Sequence, residues 1–345
     1  MATAAPASLA PPEWEAARRH FILRFSVGTT FAFVLCEAMG WQPAALAPVL
    51  TGLLLANLPF SPPPKVAFAL VTVMGISAWT AYGATLLLSE VPHLLFGLIG
   101  VVLFLAFAGL AQDKARLPLT LVLICITVTP LITLTVPQIA GIIPAALERA
   151  IALAVIVSWL MFAIWPRPSP KTPPPPAMQP DRVVLAAALG AAIVLPLMLI
   201  FLLFGITDAI PVLLTTVLIV SQMEQERASA NASAKLTANF LGGFAAGAAY
   251  FALSIAPSLI ALALISFLIG VGFALQIVKG GVRGGNALLG YNAAMIIFGL
   301  ALLKGSENSG TWGARVVQFA IASVFAVGMM SLLWHRVRRP PETAS

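Results

Sequence analysis

Residues 166–182 read Pro166-Arg-Pro-Ser-Pro-Lys-Thr-Pro-Pro-Pro-Pro-Ala-Met-Gln-Pro-Asp-Arg182. Eight prolines in these seventeen residues remove the backbone donors that a helix needs. They also hold the chain extended, so the stretch predicts a stiff strap. Two long apolar halves flank it, 21–165 and 183–336, with short terminal segments at 1–20 and 337–345. The strap therefore reads as the join between two bodies, on the cytoplasmic side.

Composition fixes the class of those bodies. Of 345 residues, 60% are hydrophobic and 9% charged, and mean hydropathy is +1.00. A soluble domain carries about 25% charged residues, so this chain could not cover a water-facing surface. A soluble enzyme and a disordered chain are both excluded. Each membrane-spanning helix takes roughly 20 apolar residues. We read twelve such segments: 21–38, 44–58, 66–88, 94–111, 118–136, 144–165, 183–204, 209–222, 236–254, 258–277, 287–303 and 312–334. The second and eighth are short, which suits tilted or partly re-entrant pieces. The expected fold is an all-α integral membrane protein of about twelve transmembrane helices. Residues 1–12 lack the basic-then-apolar pattern of a cleaved signal, so the first span is expected to direct insertion.

Charge placement sets an orientation. With the N-terminus in the cytoplasm, fifteen of the nineteen basic residues fall on that side. Arg149, Lys304 and Arg315 fall on the other, and Arg24 lies inside the first span. The positive-inside rule then places both termini in the cytoplasm. The net charge of +7 reads the same way, as sidedness rather than nucleic-acid binding.

The halves also resemble each other. Leu46-Ala-Pro-Val-Leu50 pairs with Ala209-Ile-Pro-Val-Leu213, Ala81-Tyr82 with Ala249-Tyr250, and Leu110-Ala-Gln112 with Ala274-Leu-Gln276. Arg149 leads a run ending in Trp165, and Arg315 one ending in Trp334. Six spans per copy give two parallel repeats, related by an axis along the membrane normal.

The few ionisable residues in or near spans are the informative ones, because charge in a bilayer is costly unless paired or wetted. Arg149 and Arg315 hold matching places, and a planar guanidinium fork suits a carboxylate. They are candidates for anion binding, or for local pairing and headgroup contact. Arg24 is a third candidate; it either faces a partner across the bundle or reaches cytoplasmic headgroups. Glu37, Asp208 and Glu148 are candidates for proton coupling, since carboxylates where water is scarce can load and release protons near neutral pH. Asp208 also suits the N-cap of the eighth helix. Thr127 and Thr129 beside Pro130, with Asn57, Tyr291 and Asn292, are candidates for lining a polar pathway. Gly243-x-x-x-Gly247 suits a close helix contact. The run Lys279-Gly-Gly-Val-Arg-Gly-Gly-Asn286 reads as a loop. No GxxxxGK[ST] pattern occurs, so an intrinsic ATPase is not expected. Cys36 and Cys125 sit in apolar runs, the histidines are scattered, and no metal or other cofactor is expected.

Read together, Arg24-Phe-Ser-Val-Gly28, Gly40-Trp41 before Leu46-Ala-Pro48-Val49, and the Arg-led spans Glu148-Arg149 to Trp165-Pro166 and Ala314-Arg315 to Trp334 carry a resemblance. In that order they resemble the fusaric-acid-resistance (FUSC) and aromatic-acid-exporter superfamily, in particular its compact branch, domain of unknown function 2955. The resemblance implies an inner-membrane, proton-driven efflux carrier for aromatic or other organic acids, working beside a periplasmic membrane-fusion adaptor. Larger relatives carry a cytosolic domain that a seventeen-residue join cannot hold. A homo-oligomer is compatible with this reading. The alternatives are an uncoupled anion pathway, a non-transporting scaffold and a lipid-modifying enzyme, the last opposed by the lack of any His/Asp/Cys constellation. A major-facilitator carrier is disfavoured, because Pro59-Phe-Ser-Pro-Pro-Pro-Lys65 stands where that fold has its basic glycine motif.

Overall fold

The computed structural model describes residues 11–112, 115–166, 180–204, 210–221 and 232–304. All regular structure among them is helical: α1 (Pro11–Ala38), α2 (Leu46–Asn57), α3 (Pro64–Leu88), α4 (Pro92–Ala111), α5 (Arg116–Thr135), α6 (Pro137–Ala140), α7 (Ile143–Ile164), α8 (Pro180–Leu203), α9 (Ile210–Ser221), α10 (Ala232–Ile255), α11 (Leu259–Ile277) and α12 (Gly281–Lys304). The expected segment at 312–334 and most of the strap lie outside the described residues.

Local chemistry sets many of the helix ends. Proline occupies the first turn of α3, α4 and α7, where its missing N–H costs nothing. Ser258 caps α11 by accepting the Ala261 N–H at 3.1 Å. Between α11 and α12 the backbone turns through the left-handed region at Gly280 (φ 68°), a conformation that glycine takes without strain. The run 279–286, expected as a loop, is helical from Gly281 onward. Gly280 and Gly281 make the turn with positive φ, and the buried Gly284 then brings α12 close to the Ile277 carbonyl oxygen of α11, 2.7 Å from where a Cβ would lie.

Nine helices among the described residues are long and apolar enough to cross a bilayer. The outward surface is as apolar as the core: Phe68, Leu87 and Ile260 are 74%, 82% and 75% exposed. Such broad apolar exposure belongs to a lipid-facing surface. The chain is therefore a helical, multi-pass membrane protein. α2 and α9 are shorter, at twelve residues each. At about 1.5 Å per residue they reach only some 18 Å, against a hydrocarbon core of about 30 Å.

These short helices sit inside the bundle. Every α2 residue from Ala47 to Leu55 is buried. It packs against α1, α7 and α12, while α9 packs against α5, α8 and α12. Short spans are tolerated at membrane depth when protein covers their ends. α1 lies along α11 and α4 along α8; α3 packs on α5 and α7, and α10 on α12. α12 is buried on every side from Asn286 to Gly299.

Lipid is as apolar as leucine, so helices in it associate through close packing and polar contacts. Small residues provide that packing here. A Cβ at Gly290 would lie 2.6 Å from the Ala238 carbonyl oxygen, and Gly242 sits against the Gly290 carbonyl. The expected contact through Gly243 is thus displaced by one residue: Gly243 meets only the tip of Ile297, at 3.6 Å.

Candidate functional site

Arg149, Glu148 and Arg24 separate to the two ends and one flank of α7. Near its N-terminal end, Arg149 meets the turn that follows α1. That turn is tied back to α1 by the Trp41 N–H, which donates to the Cys36 carbonyl at 2.8 Å. The Arg149 guanidinium carbon lies 5.0 Å from the centre of the Trp41 ring. Arg149 Nη2 reaches the Gln42 carbonyl oxygen at 3.5 Å, at the long limit for such a bond. The guanidinium is half-buried and stacked, with most of its donor capacity unspent on these partners.

Glu37 stands on the last turn of α1, beside the same loop. The Gln42 side chain hydrogen-bonds its carboxyl, and Gln42 Oε1 accepts the Ala44 N–H at 3.1 Å. Glu37 Oε1 is buried without a hydrogen-bond partner. Cys36, buried next door, is within electrostatic reach of both Arg149 and Glu37. The fold thus gathers an acid, a base and a tryptophan around one turn.

Glu148 points elsewhere. Its Oε2 accepts the Trp79 indole N–H at 3.4 Å, and its carboxyl carbon lies against Gly75, where a Cβ would be 3.2 Å away. It belongs to the contact between α7 and α3, not to the Arg149 cluster.

Arg24 lies at the other end of α7 and is fully buried rather than reaching headgroups. Its Nη1 donates to the Trp165 carbonyl at 3.0 Å, and its guanidinium lies 4.1 Å from the Phe162 ring centre. A cation on the last carbonyls of a helix is well placed against its dipole. One turn earlier in α1, His20 Nδ1 lies 3.2 Å from the Pro166 carbonyl oxygen.

Among the neutral candidates, Thr127 donates to its own backbone at Leu123 (2.7 Å), and Asn57, exposed at the end of α2, donates to Leu53 (2.8 Å). Tyr291 is fully buried, edge-on to Phe25 at 4.8 Å between centroids, and its hydroxyl pairs with Thr29. Thr129 and Asn292 are fully buried, and their side-chain polar atoms have no hydrogen-bond partner. Asn239, Thr51, Ser26 and Ser266 share that condition and were not singled out from the sequence. Asn239 had a usable signal: it is the lone amide in the small-residue run of α10. Arg315 and Asp208 lie outside the described residues. Among the described residues no group of three or more His, Cys, Asp and Glu is placed to hold a metal ion.

A family model described as "Protein of unknown function (DUF2955)" matches residues 21–161. The match runs from α1 to near the end of α7 and takes in Arg24, Glu37, Trp41, Glu148 and Arg149. It covers less than half of the chain. No curated protein and no solved structure matches.

Proposed function

We propose that this protein is an inner-membrane secondary efflux carrier for small organic acids, within the FUSC and aromatic-acid-exporter superfamily. The observation that carries the reading is Arg149: a guanidinium stacked on Trp41, poorly matched by protein acceptors, with the Glu37 carboxyl at the same Gln42 turn. An arginine fork with free donors takes a carboxylate in two parallel bonds. The tryptophan face stiffens the fork and offers apolar surface to the body of the acid. Glu37 is the coupling group: proton loading there removes a negative charge next to the incoming anion, and proton loss restores it. Neither role needs a cofactor. A periplasmic adaptor is the proposed partner, both termini are cytoplasmic, and the chemistry is transport rather than catalysis.

The proposed frame is twelve spans in two parallel six-helix repeats joined by the strap, with α2 and α9 as shortened spans. Its support is that contacts between the halves come in matched couples. α1 lies on α11 as α8 lies on α4, and α2 meets α12 as α9 meets α5. Met74 and Gly242, each seven residues before its Ala-Tyr pair, also both face the partner helix α5 or α12.

Counterflow of benzoate from proteoliposomes tests the function. Losing a charged hydrogen-bond partner costs about 1.5–3 kcal/mol, so Arg149→Ala should slow benzoate movement about ten-fold or more. Glu37→Gln should leave movement down a benzoate gradient but abolish its response to an imposed proton gradient. Arg149→Ala protein that inserts normally and moves benzoate at the parental rate would end the acid-carrier reading. The unpartnered neutral groups of Thr51, Thr129 and Asn292 favour a second reading, an uncoupled anion pathway. Benzoate flux with no linked proton movement in the parental protein would select it.

A further inference from the structure

Glu148 has an environment that the acid-carrier reading does not use. Its carboxyl lies against Gly75, eleven residues after the start of α3 at Pro64 and thirteen before its end at Leu88. At about 1.5 Å per residue that is some 17 and 20 Å from the two ends. The carboxyl therefore lies against the middle of α3 from about a turn and a half into α7, between two apolar helices where an uncompensated charge is expensive.

Its compensation is thin. The contact from the Trp79 N–H is long at 3.4 Å. Among the described residues no lysine or arginine pairs with Glu148; the adjacent Arg149 is turned to Trp41 and Gln42. Glycine at position 75 lets the carboxyl lie against the α3 backbone instead of being pushed outward. The crevice is also open: Glu148 is half-buried, and Trp79 is 47% exposed on the outward face. Tyr82 stands edge-on to Trp79, with centroids 6.1 Å apart.

An acid with one weak donor, beside an exposed indole face, is complementary to positive charge on an apolar body. The carboxylate supplies the charge, and the ring face attracts a cation through its quadrupole. An anion would be repelled. A hard metal ion would need several more oxygen ligands. We propose that the α3–α7 crevice at Glu148 and Trp79 is a binding site for a hydrophobic organic monocation, separate from the Arg149 cluster.

Equilibrium binding of radiolabelled tetraphenylphosphonium tests this, using the full chain in phosphatidylcholine nanodiscs with empty discs as background. Saturable binding is expected, weakened about ten-fold or more by Glu148→Gln and several-fold by Trp79→Ala. Glu90→Gln, which removes an exposed carboxylate at the end of α3, should leave it within about two-fold. The absence of a saturable component, or equal affinity in Glu148→Gln, overturns the proposal. A second measurement needs no variant. Dicyclohexylcarbodiimide labels carboxyls in apolar surroundings, and peptide mass spectrometry reads the Glu148 adduct. Saturating tetraphenylphosphonium should slow that labelling several-fold; an unchanged rate counts against the site.

Discussion

The α3–α5 and α10–α12 contacts each join helices separated by one intervening span or more, yet they are made from opposite materials. At the first, Met74 and Cys125 meet by their side chains, with the Cys125 sulfur 3.4 Å from the Met74 sulfur and 3.6 Å from the Met74 carbonyl oxygen. At the second, Gly242 and Gly290 remove the side chains and bring backbone onto backbone. One seam is set by the volume that fills it, the other by the volume withheld. A filled seam tolerates repacking, because a flexible thioether can shift. A backbone seam has nothing to shift except the helices themselves.

The largest expected effect therefore lies in the glycine seam. Gly290→Val places carbon against the Ala238 carbonyl and the Phe273 ring. It should destabilise the protein by about 3 kcal/mol, at the upper end for overpacking. Loss of the monodisperse peak in detergent, or a steep fall in melting temperature, would register it; a stable Gly290→Val protein would show that the seam can open without penalty. Met74→Ala should cost less, about 2 kcal/mol, because the cavity it leaves can partly close. Unfolding titrations in mixed micelles measure this, and a cost above that of Gly290→Val would reverse the comparison. The smallest effect should come from Gly243→Ala, one residue along from the tight contact. Its Cβ would meet Ile297 at an ordinary 3.6 Å, so stability should stay within about 0.5 kcal/mol.

The same contrast explains what could be read from the chain alone. Apolar runs located the membrane helices, because a bilayer imposes length and hydropathy on each one separately. Helix ends were less legible. α1 starts at Pro11, well before its apolar run, since Trp14-Glu-Ala-Ala-Arg-Arg-His20 continues the helix on polar residues. α12 starts at Gly281, because Gly280 and Gly281 complete the turn and the next glycine, Gly284, already belongs to the helix, close against the Ile277 carbonyl. Arg149 and Glu37 stood out as charges among apolar neighbours, but their meeting at Trp41 and Gln42 depends on how a turn folds back. Glu148 stood out in the same way, but its place against Gly75 depends on how α7 packs on α3.

His20 and Arg24 hold the carbonyls of Pro166 and Trp165, the two residues that leave α7. The opening and closing helices of this half are thereby latched together before the proline run begins. A nick further along would cut the tether between the halves yet leave the first of them a fastened hoop.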